Sequence, residues 1–349
     1  MDNLYFANSL IDWYAINKRD LPWRATQDPY KIWLSEVILQ QTRVDQGLPY
    51  YQKFLNKYPN VRALAEADQE EVLKLWEGLG YYSRAKNLHK CAKDVVKKYN
   101  GFFPDSYEGL QKLPGIGPYS AAAIASFAFK ESVAVLDGNV FRVLSRVFGM
   151  KEDIAEAKNV KKFREVANRL IDAKRPDDFN QAIMEYGAMH CKPQNPMCDS
   201  CVLSGMCYAF ENKEQKSLPV KSKKVKVSTK HFSYFVFEHE DKLLMKKRDD
   251  AGIWKGLYDF ELLVSTDPQD VEELLTQYNF EHGETVIEHV SKEYKHLLTH
   301  QRIYATFYKI KLLKEPLPKS GEGSYYTSEE IEKLPKPVLI SKYLNEYKF

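Results

Sequence analysis

The chain has 349 residues, of which 51 are Lys or Arg and 48 are Asp or Glu, so that its net charge is +3. This length and a hydrophobic content of 44% predict two domains, while so small a charge does not by itself indicate a polyanionic partner. No cationic and apolar leader follows Met1, and the longest apolar run, 119–129, is shorter than the roughly 18 residues of a membrane span. We therefore expect a monomeric, cytoplasmic protein without membrane association.

The first part of the chain has a helical pattern. Up to about residue 212, apolar residues recur at intervals of three and four, and no stretch has the alternation of a strand. Residues 213–230 form a lysine-rich stretch with little apolar periodicity, which predicts an exposed basic linker. We therefore expect an all-α domain over 1–212, a linker over 213–230 and a second domain over 231–349.

The predicted helix 29–43 carries Glu36 on a largely apolar stripe. Its neighbours at helical spacing include Ile32, Trp33 and Leu39. Burial among such side chains raises the pKa of a carboxyl group, which would keep Glu36 protonated and suited to general acid catalysis. The alternative is a half-buried acid that pairs with a nearby arginine.

The segment LPGIGPYS at 113–120, followed by a helix of small residues, has the form of a helix-hairpin-helix turn within about 109–129. Gly115 and Gly117 lack a Cβ atom, so their backbone can approach a phosphate, and the amides that begin the next helix favour an anion. We expect these glycines and Ser120 to contact a nucleic-acid backbone without reading its sequence. An ordinary connection between two helices is the alternative.

Asp137 follows the apolar run VAVL and opens another predicted helix. It is a good N-cap residue, and we expect the capping amides to stabilise its ionised form. Together with a protonated Glu36, it would form the pair of carboxyl groups that breaks a glycosidic bond through a cation-like sugar.

Four of the five cysteines lie close together, as Cys191, Cys198, Cys201 and Cys207. Thiolates at this density predict a metal site that holds either zinc or an iron–sulfur cluster. The single C-x2-C pair favours the cluster only slightly, because structural zinc sites with four cysteines usually contain two such pairs.

The second domain is predicted to be α+β. Strand patterns at 231–238 and 242–247 flank a short turn, and further strands are expected at 285–290 and 294–310 around a helix near 268–278. The stretch WKGLYDFE at 254–261 is similar to part of a Nudix domain, but the run of acidic residues that holds Mg²⁺ in Nudix enzymes is missing. The sequence therefore excludes a nucleotide pyrophosphatase.

The motifs LSEVILQQT, WEGLGYYSRAKNL, LPGIGPYSAAAI and VLDGNVFRVLSR, together with the cysteine loop 191–207, resemble the MutY family of adenine DNA glycosylases, within the helix-hairpin-helix superfamily. The resemblance implies a [4Fe-4S] cluster on the four cysteines and a substrate of double-stranded DNA with adenine opposite 8-oxoguanine or guanine. It also implies that Glu36 protonates adenine at N7 and that Asp137 stabilises or attacks the sugar cation, with Tyr119 and Asn139 supporting them.

The same resemblance implies the residues that hold the substrate. The adenine pocket is expected to contain Trp23, Arg24, Leu39, Val44 and Gln181. Wedging into the base stack is expected from Gln41 and Tyr81, with Leu79 beside them, and recognition of the oxidised base from the 298–300 loop through Thr299 and His300. Most of these side chains would otherwise be interpreted as core or as solvated surface.

Two alternatives remain at the level of sequence. Relatives of the endonuclease III type use a lysine beside the hairpin to form an imine, whereas Tyr119 stands there and no lysine occurs in 113–129, so little coupled strand cleavage is expected. The protein could instead remove another mispaired base, such as thymine opposite guanine, or bind lesions without catalysis.

Overall fold

The structure is a computed structural model that describes residues 3–222, 226–249, 252–267, 285–313 and 323–347. The chain divides into two compact units. One, the N-terminal unit, comprises residues 1–66 and 87–223, and the other, the C-terminal unit, comprises 67–86 and 224–349. The segment 67–86, which comes from the middle of the helical sequence, thus belongs to the C-terminal unit, and no sequence pattern indicated this. The predicted domain bounds stay a prediction.

Helices dominate the chain up to residue 211, as the sequence predicted. In order they are α1 (Asn3–Asn17), α2 (Pro29–Leu39), α3 (Val44–Lys57), α4 (Val61–Glu66), α5 (Gln69–Leu75), α6 (Ser83–Tyr99), α7 (Tyr107–Leu110), α8 (Pro118–Phe129), α9 (Gly138–Phe148), α10 (Ala157–Leu170), α11 (Pro176–Met189) and α12 (Tyr208–Glu211). The short 3-10 helices Pro22–Arg24 and Ser204–Met206 lie between them. Helix α5 and the first residues of α6 fall in the C-terminal unit.

Helix α2 begins where the sequence predicted but ends earlier. The side chain of Asp28 accepts a hydrogen bond from the backbone N–H of Tyr30, and Pro29 occupies the first helical position, where its missing N–H costs nothing. The predicted end at residue 43 is wrong, because Gln41 has a left-handed backbone (φ 56°) that cannot continue an α-helix. The last helical residue is Leu39.

The predicted hairpin lies between α7 and α8. Ser106 caps α7 by accepting from the backbone N–H of Gly109, and Pro118 begins α8 directly after Gly117. Between the helices Gly115 has φ 75°, and a Cβ atom there would lie 2.7 Å from the Asn87 Cβ atom. Glycine is therefore required at position 115 both by the backbone angle and by this close approach.

The C-terminal unit contains a mixed sheet of strands β1 (Ser228–His239), β2 (Lys242–Lys247), β3 (Tyr258–Asp259), β4 (Glu261–Ser265), β5 (Thr285–Val290), β6 (Tyr294–Leu297), β7 (Gln301–Leu312) and β8 (Gly323–Tyr326). The order along the main path is β3-β2-β1-β7-β5, with β4 paired to β1, β6 to β7 and β8 to β2. Strands β1 and β7 are parallel and the other pairs are antiparallel. The predicted α+β class is confirmed.

The predicted strand 294–310 is not continuous. A turn at 298–300 separates β6 from β7, and the backbone N–H of Leu298 donates to the carbonyl of Gln301 at 2.8 Å. The two strands then pair antiparallel, as a hairpin requires. The helix predicted near 268–278 lies outside the described residues.

The sheet packs apolar side chains on both faces, because successive residues of a strand point to opposite sides. On β1, Tyr234 and Val236 face one cluster and Phe235 and Phe237 face the other. The first cluster includes Tyr343, whose ring stacks at 4.1 Å on that of Phe307. It is covered by helices α13 (Ser328–Lys333) and α14 (Val338–Glu346).

Membrane spans were searched among the described residues. None of their helices combines the length and the apolar character needed to cross a bilayer.

Gly149 tests how closely the cysteine loop packs on α9. It ends α9 with φ 65°, and a Cβ atom there would lie 2.7 Å from the Tyr208 ring. We expect Gly149→Ala to lower the free energy of unfolding by about 3 kcal/mol, because the left-handed backbone and the ring both oppose a side chain. Chemical denaturation followed by circular dichroism measures this.

Gly205→Ala is the matched control, since a Cβ atom there meets open space, and it should change the free energy of unfolding by less than about 1 kcal/mol. Equal stability of Gly149→Ala and the wild type would contradict the close packing of α9 on Tyr208.

Candidate active site

A cavity of about 550 Å³ lies within the N-terminal unit, and it collects most of the predicted site. Side chains from α2, α3, α8, α9 and α11 line it. The predicted residues that it brings together are Trp23, Arg24, Glu36, Leu39, Val44, Tyr119, Asp137, Asn139 and Gln181. A volume of this size accommodates a flat heterocycle with part of its sugar.

Glu36 has the buried environment that the sequence predicted. Only 7% of the residue is exposed. Burial raises the pKa of its carboxyl group to about 7, and the negative charge of Asp137 acts in the same direction, while a hydrogen bond from the Tyr119 hydroxyl and the charge of Arg24 lower it. At neutral pH a large fraction of Glu36 therefore carries a proton.

Tyr119 lies in the first turn of α8, with its hydroxyl group enclosed in the cavity although part of the residue remains exposed. Burial and the neighbouring carboxyl groups of Glu36 and Asp137 raise the pKa of this phenol well above its usual range. It is therefore neutral and acts as a hydrogen-bond donor towards Glu36.

Asp137 is the N-cap of α9, as predicted. Its Oδ1 atom accepts from the backbone N–H of Val140 at 2.7 Å, and its Oδ2 atom accepts from Nδ2 of Asn139 at 2.8 Å. The predicted low pKa is wrong in direction. Burial raises the pKa of Asp137 above its usual range, and the capping bonds and Arg142 offset only part of this.

A chain of hydrogen bonds connects Asp137 to the cysteine loop. Asn139 donates to Asp137 and accepts from Nη2 of Arg142 at 2.8 Å. Arg142 also donates through Nε to the carbonyl of Cys191 at 2.7 Å and through Nη2 to the carbonyl of Gly187 at 2.6 Å. These bonds fix the orientation of Asn139, which in turn holds the Asp137 carboxyl group in place.

An ion network that the sequence did not reveal forms one wall of the cavity. Glu185, 1% exposed, accepts from Arg19 through both carboxyl oxygens, at 2.8 and 2.6 Å, and from Arg24 at 3.0 and 2.7 Å. Burial acts to raise the pKa of Glu185, but the two guanidinium groups hold it at about 2. The one available signal was helical spacing, since Glu185 follows Gln181 by four residues on α11.

The predicted pocket residues have defined partners. The Oε1 atom of Gln181 accepts from the Tyr14 hydroxyl at 2.8 Å, which fixes the orientation of the amide. The Trp23 ring meets that of Tyr51 edge to face at 5.2 Å. Leu39 ends α2, and with the first residue of α3 it supplies apolar surface to the cavity.

Four predicted residues of this unit do not line the cavity. Gln41 is exposed, and Gly117 caps α8 next to open space, as a backbone contact needs. Gly115 is also exposed. Ser120 is different: it is 2% exposed and accepts a hydrogen bond from Gln40, so the expected contact of its side chain with a DNA backbone is not supported.

The remaining predicted residues belong to the C-terminal unit. The hydroxyl groups of Tyr81 and Thr299, which lie 218 positions apart in sequence, form a hydrogen bond. Thr299 and His300 are exposed on the turn between β6 and β7 rather than on a strand edge, and Tyr81 is 44% exposed. Leu79 is buried, so its side chain belongs to the core.

The four clustered cysteines line a second cavity of the N-terminal unit. Hydrogen-bond donors point at their sulfur atoms: the Tyr186 hydroxyl at 2.9 Å from Cys201 and Nη1 of Arg146 at 3.4 Å from Cys191. Such donors favour thiolates over thiols. Among the described residues, however, no three or more His, Cys, Asp or Glu side chains are arranged to hold a single metal ion.

Two known families match the chain. Residues 34–169 match the HhH-GPD superfamily of base excision DNA repair proteins, and 233–346 match the NUDIX domain. A solved structure of a thermostable thymine-DNA glycosylase is similar with a TM-score of 0.56 and 30% identity, over 60% of this chain and 97% of that one. A non-covalent endonuclease III-DNA complex, at 22% identity and a TM-score of 0.53, shares the fold, over 62% of this chain and 100% of that one.

Similar proteins narrow this class further. The adenine DNA glycosylase of Buchnera aphidicola subsp. Baizongia pistaciae is 34% identical over 312 residues, which are 87% of this chain and 85% of that protein. The adenine DNA glycosylase of Homo sapiens is 44% identical over 61% of this chain and 41% of its own length. The chain belongs to the MutY family of adenine DNA glycosylases, which are hydrolases of N-glycosyl bonds.

Glu185 allows a direct test of the ion network. We expect Glu185→Gln to lower the free energy of unfolding at pH 7 by about 3 to 5 kcal/mol, because Arg19 and Arg24 lose the buried carboxylate that compensates them. Urea denaturation measures this.

The control is Asp177→Asn, which breaks the more exposed pair with Lys130 and should cost less than about 1 kcal/mol. If the two variants lose the same stability, the network does not hold the wall of the cavity.

Proposed function

We propose that this protein removes adenine that is paired with 8-oxoguanine or guanine in double-stranded DNA and leaves an abasic site. The observation that carries the proposal is Glu36, a carboxyl group with a pKa of about 7 in the same cavity as a second carboxyl group, Asp137. An acid that is protonated near neutral pH and a neighbouring anion are the groups that breakage of an N-glycosidic bond needs.

The proton of Glu36 goes to N7 of adenine, which makes the base a better leaving group. The bond between C1′ and N9 then breaks, and its electron pair leaves with the adenine. Asp137 stabilises the resulting positive charge on the sugar, held in place by Asn139 and the backbone of Val140. Water adds to C1′ and releases a proton, which restores the acid.

Adenine must leave the base stack to reach this cavity, at a cost of a few kcal/mol. The pocket offsets this cost through apolar contacts of Leu39 and Val44 and through the amide of Gln181. Since Tyr14 occupies the Oε1 atom of that amide, its NH₂ group is free to donate to a ring nitrogen of the base.

The enzyme is expected to be monofunctional. Formation of an imine with the sugar requires an amine, and a phenol at the position of Tyr119 cannot form one. The lining of the cavity likewise contains no lysine side chain among the described residues. The abasic product should therefore stay intact until alkali cleaves it.

Recognition of the opposite base is assigned to the C-terminal unit. Tyr81 and Thr299 were each expected near the mispair, and their hydroxyl groups are hydrogen-bonded to each other. Both are exposed enough to contact a duplex, and the threonine hydroxyl can donate to or accept from the altered edge of an oxidised guanine. This supports a preference for adenine opposite 8-oxoguanine.

The cysteine cavity is proposed to hold a [4Fe-4S] cluster. The four side chains share one cavity without converging on a single ion position, and donors already face two of the sulfur atoms, which fits a larger group better than zinc. When bound, the cluster cross-links the loop 191–207. The bond from Arg142 to the Cys191 carbonyl then ties this loop to α9 and Asp137.

Base release tests the proposal. In single-turnover reactions with duplexes that contain one A:8-oxoguanine, A:G or T:G pair, we expect release from the first two, fastest opposite 8-oxoguanine, and strand breaks only after alkali. Glu36→Gln should slow release by about 10²–10⁴-fold, because it removes the proton donor. Release of thymine instead of adenine, as the similar thymine-DNA glycosylase suggests, would overturn the substrate assignment.

The pH dependence of the same rate tests the acid. A pKa raised to about 7 keeps Glu36 protonated up to that pH, so the rate should fall about tenfold per pH unit above it. On the acid side the rate should also fall as Asp137 is protonated, since its pKa is raised too. A rate that rises through pH 7 and above would show that Glu36 does not act as the acid.

The cluster is tested by metal content. Purified protein should contain iron and acid-labile sulfide in equal amounts, and Cys198→Ala should lose both, because one of four ligands is removed. Cys91→Ala is the control: Cys91 is fully buried in α6, away from the cysteine cavity, and its loss should leave the iron content unchanged. Stoichiometric zinc in place of iron would contradict the assignment.

A further inference from the structure

The turn between α5 and α6 holds three residues in left-handed backbone conformations. Gly78 has φ 104°, Gly80 has φ 70° and Tyr81 has φ 48°. Glycine adopts such angles freely, but a tyrosine does so only when its surroundings enforce it. Since Tyr81 is also 44% exposed, solvent-facing packing alone does not enforce its conformation.

Arg84, near the start of α6, contacts this turn from the inside. Its Nη2 atom donates to the carbonyls of Leu79 at 3.0 Å and Gly80 at 3.1 Å. The indole Nε1 of Trp76 donates to the same Gly80 carbonyl at 3.0 Å, and the backbone N–H of Arg84 donates to the Tyr81 carbonyl at 2.9 Å. Three consecutive carbonyl groups of the turn are thus fixed.

The Arg84 guanidinium also lies between two aromatic rings. Its central carbon is 5.0 Å from the ring centre of the fully buried Trp76 and 5.9 Å from that of Tyr81. Only 8% of Arg84 is exposed, and burial lowers its pKa to about 10, so the group stays charged at neutral pH. A planar cation that both stacks on rings and donates to two carbonyls is specific to arginine.

We propose that Arg84 is the positioning residue of Tyr81: it locks the turn 78–81 so that the tyrosine ring stands ready to enter the base stack beside the mispair. The inference rests on the proposed function, in which Tyr81 contacts duplex DNA. Ordering a residue on binding costs about 1 to 2 kcal/mol, and a turn that is already fixed avoids this cost. Arg84 is too buried, and its donors are too occupied with the turn, for its main effect to be a phosphate contact.

The test is a double-mutant cycle on binding. The probe is a duplex with 8-oxoguanine opposite a 2′-fluoro analogue of deoxyadenosine, whose glycosidic bond resists cleavage, and a matched duplex serves as reference. We expect Arg84→Lys to weaken binding to the mispair about tenfold, with little change on the matched duplex, because lysine keeps the charge but cannot hold two carbonyls and two rings. In a Tyr81→Ala background, Arg84→Lys should change affinity less than twofold.

Equal losses with and without Tyr81, or equal losses on both duplexes, would overturn the inference, because Arg84 would then act independently of the tyrosine. Arg169→Lys, an exposed arginine in the last turn of α10, is the control and should bind like the wild type. Thermal unfolding of each variant separates lost affinity from lost fold.

Gly80→Ala probes the same turn if Arg84→Lys does not fold. A Cβ atom at position 80 meets no atom within 4 Å, so the substitution adds only the strain of the left-handed backbone. It should weaken mispair binding when Tyr81 is present and have less than a twofold effect when it is absent. Affinity equal to that of the wild type would overturn the inference.

The binding cycle is independent of base release. A wild type that binds the mispair tightly but releases no adenine would refute the proposed function and leave the role of Arg84 intact. A wild type that releases adenine, with an Arg84→Lys effect that persists without Tyr81, would refute the role of Arg84 alone.

Discussion

The exclusion of water from the Glu36 carboxyl group is the constraint on which the catalytic unit depends. A carboxyl group is ionised at neutral pH in water, and here burial raises its pKa to about 7. The same cavity must still leave room for a base. Helix α2 meets both needs, because it buries the side chain of Glu36 and then ends at Leu39, before the exposed and left-handed Gln41.

The ion network of Glu185 protects this pKa as well as the fold. Arg24 lies near enough to lower the pKa of Glu36, which would favour the ionised and inactive form. Glu185 compensates the charge of Arg24 through two hydrogen bonds and that of Arg19 through two more. The arginines can therefore shape the wall of the pocket without removing the proton that the chemistry needs.

Local patterns predicted what depends on local structure. The cap at Asp137, the hairpin glycines and the cysteine cluster could all be identified, because each is set by a few neighbouring residues. Contacts between distant segments could not. Glu185 meets Arg19 across 166 positions, and segment 67–86 belongs to a unit whose other residues begin near 224. The pKa of Asp137 was expected in the wrong direction because a capping bond is visible in sequence, whereas the depth of burial is not.

The most direct test of the central claim is the ionisation of Glu36 itself. The side-chain carboxyl carbons of glutamate can be labelled with ¹³C and followed by NMR as the pH is raised, with the Glu36 signal assigned by its loss in Glu36→Gln. Burial predicts a midpoint near pH 7. A midpoint near 4.5, the ordinary value for glutamate, would mean that the group is ionised at neutral pH and would contradict its role as the acid.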